Sequence, residues 1–583
     1  MAALATHEKA TEVARSPWPS LTPPASFRLR LLSGGADAIR LRWFEYALLF
    51  AFGLTLLGMN LGGARALTYH EVTFAGPAKE MLRDGNWIVP TIAGVPFTDK
   101  PPLTAWLIAG SLTLFQTDAE WAARFPSIVS AALTALMIAA MVTRWWGRQV
   151  GLLAGLIHLT TFATLMQARL AESDIHLCTT VCGAMLAFAW ANVESPVGRA
   201  TERWWPWVFF TCLGLSFLCK ALIGPVFICG ACGLYLLWSQ DLRGFKFFLS
   251  PVGWMICGLL IVPWFALAVR EYPPMLDNLL LHHFGRFRGH MGAHEPWYAY
   301  LYLIPLLLLP WTPFTGFALF RAVRDGSFLL PIYRLLICWV LPGLALLSIS
   351  AFKAKHYTIP LLPPFVVLAA IGFSQYLAIR RSAVRLHSGW LWGAVAVGMS
   401  VATCVILAAG PRGQWGMIVA IAIAGVGLSL MIEAERRRCI DWVRRIAFGT
   451  VWCVMTCVAW GVLPAHDSYR PLAELATRIN ARGVQAEPIF MVRLPDNAIT
   501  YYLEPRVARY DQEFDFADAL ANRKGSDPLY IVAPLKSRAV LAAHGRLETL
   551  DESGPVGKHG ADANRAMLFR LTPDNRERMA TRP

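Results

Sequence analysis

Runs of about 20 apolar residues, the length of a membrane-crossing helix, recur along this chain from Phe44 to Leu463. They fall near 44–62, 125–143, 149–166, 175–192, 206–219, 222–238, 248–268, 299–320, 331–350, 358–378, 389–409, 415–432 and 446–463, about thirteen in all. Backbone inside a bilayer must satisfy its own polar groups, which leaves only helices or a closed barrel. Runs of this length fit helices. The expected fold is therefore a polytopic α-helical membrane protein. The chain is 56% hydrophobic and only 16% charged, against about 25% charged residues in soluble domains.

The few charges are placed unevenly. Residues 1–43 carry Lys9, Arg15, Arg28, Arg30, Arg40 and Arg42, and no apolar core of a signal peptide. If that segment is cytoplasmic, the alternate connections hold Arg144 and Arg148, then Arg199 and Arg203, Arg243 and Lys246, Arg321, Arg324 and Arg334, Arg380, Arg381 and Arg385, and finally Arg436, Arg437, Arg438, Arg444 and Arg445. All fall on one side, as the positive-inside rule requires. The net charge of +15 is then a topological signal, and no nucleic acid is called for.

An odd number of spans places residues 464–583 on the side opposite residues 1–43. That tail is mixed in composition, with expected strands at Pro488–Val492, Ala498–Leu503 and Leu529–Val532 and helices near 471–482 and 515–523. The pattern reads as a small α/β domain. It has no cysteine and hence no disulfide framework. Cys229 and Cys232 form a CxxC beside Gly230 and Gly233, which reads as close helix packing in the membrane part, 44–463.

Four connections on the outer side are polar in an unusual way: 63–124, 167–174, 269–298 and 351–357. They bring His70, Glu71, Asp99 and Lys100, then Arg169 and Asp174, then His282, His283 and Arg286, then Lys355, His356 and Tyr357 to one membrane face. Ionisable residues at span ends that face a cavity are functional candidates. Carboxylates and imidazoles supply a base or a metal ligand, while Lys, Arg and Tyr grip phosphate. No P-loop and no nucleophile elbow is present in the sequence. Without ATP chemistry, an activated group on this face has to arrive attached to a membrane carrier, which points to a lipid-phosphate-linked donor.

The order of motifs carries a resemblance. His70-Glu71, Glu80-Met81-Leu82, Gly85, Trp87, Pro90, Lys100-Pro101-Pro102, Arg124-Phe125-Pro126-Ser127, Arg169 with Asp174, Lys220 to Pro225, Pro263-Trp264, His282 to Phe287, Glu295-Pro296-Trp297, Pro310-Trp311 and Lys355-His356-Tyr357 form an ordered series. It resembles the GT-C glycosyltransferases that use polyprenyl-phosphate sugars, and most closely the aminoarabinose transferase branch that modifies lipid A, related to protein mannosyltransferases. The resemblance implies thirteen spans and an exported α/β domain. It implies Asp174, Glu71 and His70 as the catalytic set. Lys100, Arg286 and Tyr357 would hold the donor phosphate, with Arg169, Lys220 and Lys355 in support. A structural divalent metal would map to Asp99 with His282 or His283; the transfer itself would need no cofactor. This chain departs from the family at His70, where an Asp is usual, and at Thr73 and Phe74, where Arg and Tyr are usual.

The activity implied is inverting transfer of a sugar from undecaprenyl phosphate to lipid A or another envelope glycolipid, at the periplasmic face of a bacterial inner membrane. Transfer to a protein hydroxyl and transport of a lipid-linked sugar are the alternatives. A transporter should carry its ionisable residues at the midplane of broken helices, whereas here they gather at one face.

Overall fold

The structure, a computed structural model, describes residues 40–63, 65–195, 198–200, 202–288, 295–351, 353–381, 414–483, 488–492, 494, 497–510, 513–521, 527–554, 556 and 565–573. The expected span at 389–409 and most of the N-terminal segment lie outside the described residues.

Seven described helices are long and apolar enough to cross a membrane: Glu120–Trp146, Ser173–Asn192, Pro251–Glu271, Pro331–Ile349, Pro363–Arg380, Trp415–Arg436 and Ile440–Val462. An eighth span is gained if Ala299–Leu307 and Thr312–Arg324, bent by 112°, count as one. The expected count of about thirteen is thus met only in part. Three of the expected spans are helices of 16 or 17 residues, Trp43–Gly58, Trp205–Lys220 and Ile223–Ser239. A fourth, expected over 149–166, is broken at Thr161, whose extended backbone (φ −73°, ψ 136°) separates Arg148–Thr160 from Phe162–Gln167.

The two broken helices complete each other. Phe162 N–H donates to the Leu309 carbonyl at 2.8 Å, and Trp311 Nε1 donates to Thr160 Oγ1 at 3.0 Å. Irregular backbone at membrane depth is tolerable when protein supplies its partners in this way.

One end of the bundle is tied by basic residues. Arg148 pairs with Glu45 at 2.6 Å, Arg321 with Asp325 at 3.1 Å, and Arg380 with Glu435, which also accepts from Tyr376 at 2.5 Å. The other end carries the 63–124 segment, which is ordered throughout its described residues rather than a plain loop. Helix Tyr69–Asp84 opens on a capping box, Thr68 with Glu71, and closes on Gly85 at φ 75°, a conformation that glycine adopts without steric cost. A short hairpin follows, β1 (Thr91–Ile92) with β2 (Val95–Pro96), and then the apolar helix Leu103–Phe115. Glu80 pins the hairpin turn, accepting from Thr91 Oγ1 at 2.5 Å and from Ala93 N–H at 2.6 Å.

The tail forms a five-stranded sheet in the order β4-β3-β5-β7-β6. Strand β3 (Ile489–Val492) is parallel to β4 (Val507–Tyr510) and β5 (Leu529–Pro534), while β7 (Ala566–Pro573) is antiparallel to β5 and to the edge strand β6 (Gly545–Glu552). Helices Arg470–Ala481 and Glu513–Ala521 lie where the sequence pattern puts them. The strand expected over 498–503 is instead a 3-10 turn at Asn497–Tyr501. Its apolar residues do bury, in the seam where helix Tyr69–Asp84 meets the face of the sheet: Ile499 and Tyr501 share one apolar cluster with Val72, Ala75 and Ile108 and with the strand residues Ile489, Met491 and Val532.

Polar bonds lock that seam. Asp467 accepts the Ala66 N–H at 2.7 Å, Tyr502 Oη accepts the Leu67 N–H at 2.7 Å, and Tyr501 Oη donates to the Asp118 carbonyl at 2.7 Å. The tail therefore sits on the same end of the bundle as the 63–124 segment and grips the residues that lead into it.

Candidate active site

The segment entering helix Tyr69–Asp84 is organised around one buried carboxylate. Glu71 has no solvent exposure and lies in the first turn of the helix. Its Oε2 accepts the Thr68 N–H at 2.9 Å and Arg124 Nη2 at 3.1 Å, and its Oε1 accepts Arg124 Nε at 2.7 Å and the Ala171 N–H at 3.2 Å. Four donors fill the acceptor capacity of a carboxylate. Arg124 is used as completely, giving its remaining N–H groups to the carbonyls of Leu61, Arg65 and Ala66 at 2.9–3.1 Å. Burial alone would raise the Glu71 carboxyl; the Arg124 guanidinium, with Arg65 and the Thr68 N–H, overrides it and holds the group at about 2. The result is a knot that joins spans, helix and the 168–172 turn.

A second buried acid is treated differently. Asp174 lies in the first turn of Ser173–Asn192, where a helix N-terminus favours an anion. Lys220 Nζ donates to its Oδ1 at 2.6 Å, and His356 Nε2 lies 4.0 Å from its Oδ2. Among the described residues Oδ2 takes no hydrogen bond. Lys220 closes its helix just before Ala221, a non-glycine residue at φ 49°, and its ammonium sits 4.3 Å above the Tyr357 ring. The His70 ring faces that of His356 at 6.3 Å. Lys100 follows the β1–β2 hairpin, with Nζ 4.7 Å over Phe74 and 6.0 Å from the Phe97 ring. Its charge is felt at Glu172, Asp174 and His356.

His356 is pushed down to about 4, first by burial; Asp174 opposes this, and Lys220, the neighbouring His70 ring and Lys100 add to it. At neutral pH it is an uncharged imidazole beside a carboxylate. Glu172 is raised to about 7, first by burial and then by the charges of Asp174 and Glu71; its Oε2 accepts from Gln167 Nε2 at 2.5 Å. The resemblance places Arg124 and His356 in its ordered series of motifs but gives them no role, and it does not include Glu172. Glu172 and His356 stand in the polar runs Gln167–Asp174 and Lys353–Tyr357, and their proximity to a family-matched Asp or Tyr was the available signal.

A cavity of about 180 Å³ opens beside this cluster, lined by Arg65, Arg124, Arg169, Lys355 and His356 on one wall and by apolar residues including Phe162, Met166 and Leu307 on the other. Arg169 is buried, donates to the Leu57 carbonyl at 2.6 Å, and is lowered to about 10 by burial and by Arg124 and Arg65. Of the expected residues the structure thus gathers Asp174, Lys220, Tyr357, His70 and Lys100 in one network, places Arg169 and Lys355 on the cavity wall, and builds Glu71 into the knot beside it. The side chains of His282, His283 and Arg286 lie outside the described residues; their helix, Met275–Arg288, is present. Among the described residues no three His, Cys, Asp or Glu side chains are grouped to hold a metal. Of the expected metal set, only Asp99 has a described side chain.

Residues 99–268 match the dolichyl-phosphate-mannose-protein mannosyltransferase family. The chain is 26% identical over 384 residues to the undecaprenyl phosphate-alpha-4-amino-4-deoxy-L-arabinose arabinosyl transferase of Erwinia tasmaniensis, a match over 65% of this chain and 67% of the relative. It is 29% identical over 346 residues to the enzyme of the same name from Pseudomonas savastanoi pv. phaseolicola, covering 58% of this chain and 62% of the relative. These matches span about two thirds of the relatives' length. The crystal structure of ArnT from Cupriavidus metallidurans bound to undecaprenyl phosphate superposes with a TM-score of 0.75 at 20% identity, over 90% of this chain and 97% of that one. The fold is that of a GT-C glycosyltransferase, and the chain resembles the aminoarabinose transferases. The resemblance and the polytopic helical part of the expected fold class agree with these matches.

Proposed function

We propose that this chain is an inverting glycosyltransferase that moves a sugar from an undecaprenyl-phosphate carrier to a lipid A-like or other envelope glycolipid. The reading rests on one observation above all: a buried Asp174 with one oxygen held by Lys220 and the other open, 4.0 Å from His356. In the transfer, Asp174 Oδ2 accepts the proton of the acceptor hydroxyl as that oxygen forms its bond to the anomeric carbon. The bond from that carbon to the carrier phosphate breaks, and its electron pair leaves on the phosphate. Lys100 stabilises the departing charge, with Arg286 assigned to the same phosphate by the resemblance; groups placed where charge develops are worth the most to a rate. His356, neutral at physiological pH, and His70 orient the acceptor, and Tyr357 with Lys220 forms the wall behind the donor. Glu71 acts through Arg124 and Ala171 as a positioning residue.

The orientation completes the reading. The basic end is cytoplasmic, residues 1–43 with it, and the active-site end with 464–583 is periplasmic in a bacterial inner membrane. The shorter apolar helices and 389–409 complete about thirteen crossings. A phosphatase fused after Pro583 is then active and a fluorescent protein there is dark; the reverse pattern overturns the orientation. Function is tested by mass spectrometry of envelope lipids from cells with and without the chain. A sugar-modified glycolipid should disappear with it. Unchanged envelope lipids, with lipid-linked sugar trapped on the cytoplasmic leaflet, would instead make the chain a transporter. The family match over residues 99–268 favours one second reading, transfer to a protein hydroxyl, which the same experiment would reveal as loss of a glycosylated envelope protein with intact glycolipids.

A further inference from the structure

Three carboxylates meet around the turn that leads into helix Ser173–Asn192, and only two of them have a cation. Glu71 pairs with Arg124 at 2.7 Å and Asp174 with Lys220 at 2.6 Å. The third is Glu172. It stands in extended backbone at the cap position of that helix, yet its side chain makes no capping bond. Instead its Oε2 accepts from the Gln167 amide at 2.5 Å, and among the described residues no Lys, Arg or His lies within ion-pair distance of it. Glu172 is only 8% exposed.

A carboxylate so placed has little to hold its charge. Burial without a counter-charge favours the neutral acid, and so does a neighbouring anion. Asp174 and Glu71 both act in that sense. Gln167 and Lys100 pull the other way, and Arg65 faces the same group as a further cation. The balance raises Glu172 to about 7, so this acid changes charge near neutral pH. Lys100 connects it to the chemistry, because the same ammonium is felt at Glu172, Asp174 and His356. A negative charge gained at Glu172 draws on the cation assigned to the departing phosphate.

We propose that Glu172 is a positioning residue that gates the donor seat by its charge. Uncharged, it leaves Lys100 to the carrier phosphate; ionised, it attracts that ammonium and repels the phosphate. This role rests on the transferase reading, in which Lys100 seats the donor. Linkage gives the sign. An anion bound beside a carboxyl makes it hold its proton more tightly, so the protonated form binds the anion better. Donor affinity is full below about pH 7 and falls as pH rises, and binding above that pH takes up a proton on Glu172.

The test is equilibrium binding to the full chain in detergent at constant ionic strength. The probe is undecaprenyl methyl phosphate, a phosphodiester whose single charge stays fixed across the range. Wild type should bind it about five- to tenfold more weakly at about pH 8.5 than at about pH 6, the worth of about one pKa unit of coupling. Calorimetry in buffers of different ionisation enthalpy should show net proton uptake on binding near pH 8. Glu172→Gln has the shape of the protonated acid and keeps an acceptor for Gln167; it should bind with the low-pH affinity throughout and take up no proton. Imidazoles titrate near 6.5, so the series is repeated in His70→Gln, where the loss above pH 7 should persist. In turnover the change should appear in KM for the lipid-linked sugar rather than in kcat, which a merely structural role would not produce. Flat wild-type affinity overturns the proposal, as does a Glu172→Gln profile parallel to wild type or a loss that vanishes in His70→Gln. Should Glu172→Gln fail to fold, proton uptake by wild type decides alone, and its absence counts against the role. A chain that binds the diester with this pH dependence but transfers no sugar would sink the transferase reading and leave the gate intact.

Discussion

Glu71 and Asp174 are both buried carboxylates in the first turn of a helix, each paired with a cation from a distant segment, yet they have opposite surroundings. Glu71 accepts four hydrogen bonds, and its partner Arg124 spends its N–H groups on Glu71 and three backbone carbonyls. Asp174 accepts one, from Lys220, and keeps an oxygen open toward His356. A saturated pair has no lone pair left to receive a proton and no reason to change state. An open pair has both. The difference separates a residue that holds the site together from one equipped to work in it, although the sequence shows only two acids at comparable positions.

The largest expected effect falls on the open acid. Asp174→Asn keeps the shape and an acceptor for Lys220 but removes the base, and general-base help is worth about 10²–10⁴-fold. Transfer from undecaprenyl-phosphate sugar by purified protein should drop by that factor while the melting temperature in detergent stays close to wild type. A variant within a few-fold of wild-type turnover would erase the distinction drawn above and move the base to His70 or His356. Glu71→Gln should show the inverse profile. It leaves Arg124 charged and buried opposite a neutral amide, and breaking a buried pair from one side costs about 3–5 kcal/mol. The readout is thermal stability in detergent. A Glu71→Gln protein of normal stability that is catalytically dead would return Glu71 to the reacting set.

How much of this was legible follows from which signals are local. Helical class, the basic end and the gathering of four polar connections come from hydrophobic run length and charge sign, which a sequence displays directly. The break at Thr161 was hidden because the groups that satisfy it, Leu309 and Trp311, are about 150 residues away. Helix Leu103–Phe115 was missed inside a segment read as polar, since its run is too short to register as a span. Ala498–Leu503 has a strand's composition, but its apolar side chains fill the seam between helix Tyr69–Asp84 and the face of the sheet, a contact no local pattern encodes. β6 is hard to read because its two apolar residues, Leu547 and Leu550, are three apart across a bulge, which breaks the period-2 pattern of a strand. In the site, Asp174, Lys220, Tyr357 and Lys100 were readable as a set through the ordered motifs. The roles of Arg124 and Glu172 depend on contacts across 53 residues and on burial, which no local pattern encodes.

The donor side sharpens the comparison from another direction. Lys100→Ala should lower transfer by about 10²–10³, as loss of a donor aimed at developing charge does. Lys100→Arg tests whether charge alone suffices; a planar fork in place of a point charge should recover only part of the rate. Full activity in Lys100→Ala would remove this residue from the phosphate seat.

The smallest expected effect is the most specific to the burial pattern. Glu172 is raised to about 7 in the folded chain by burial and by Asp174 and Glu71, with Gln167 and Lys100 pulling the other way. Its unfolded counterpart ionises near 4.5. A carboxyl that binds its proton more tightly when folded contributes stability that is present below its unfolded value and lost as pH rises through its folded value. His356 runs in the opposite sense: lowered from 6.5 to about 4, it takes up its proton more readily when unfolded, so its contribution is lost as pH falls from 6.5 toward 4. The two windows overlap and oppose each other, so the wild-type stability profile between pH 4.5 and 6.5 should be flatter than either group alone would give. Glu172→Gln removes one side of that balance. Its stability should rise with pH across this range where wild type is nearly level, by about 1–3 kcal/mol from a shift of this size, read from detergent melting at constant ionic strength. A profile parallel to wild type would mean that Glu172 is ionised in the folded chain. Glu172 would then stand with Asp174 as a second negative charge facing Lys100, and the phosphate seat would be correspondingly weaker.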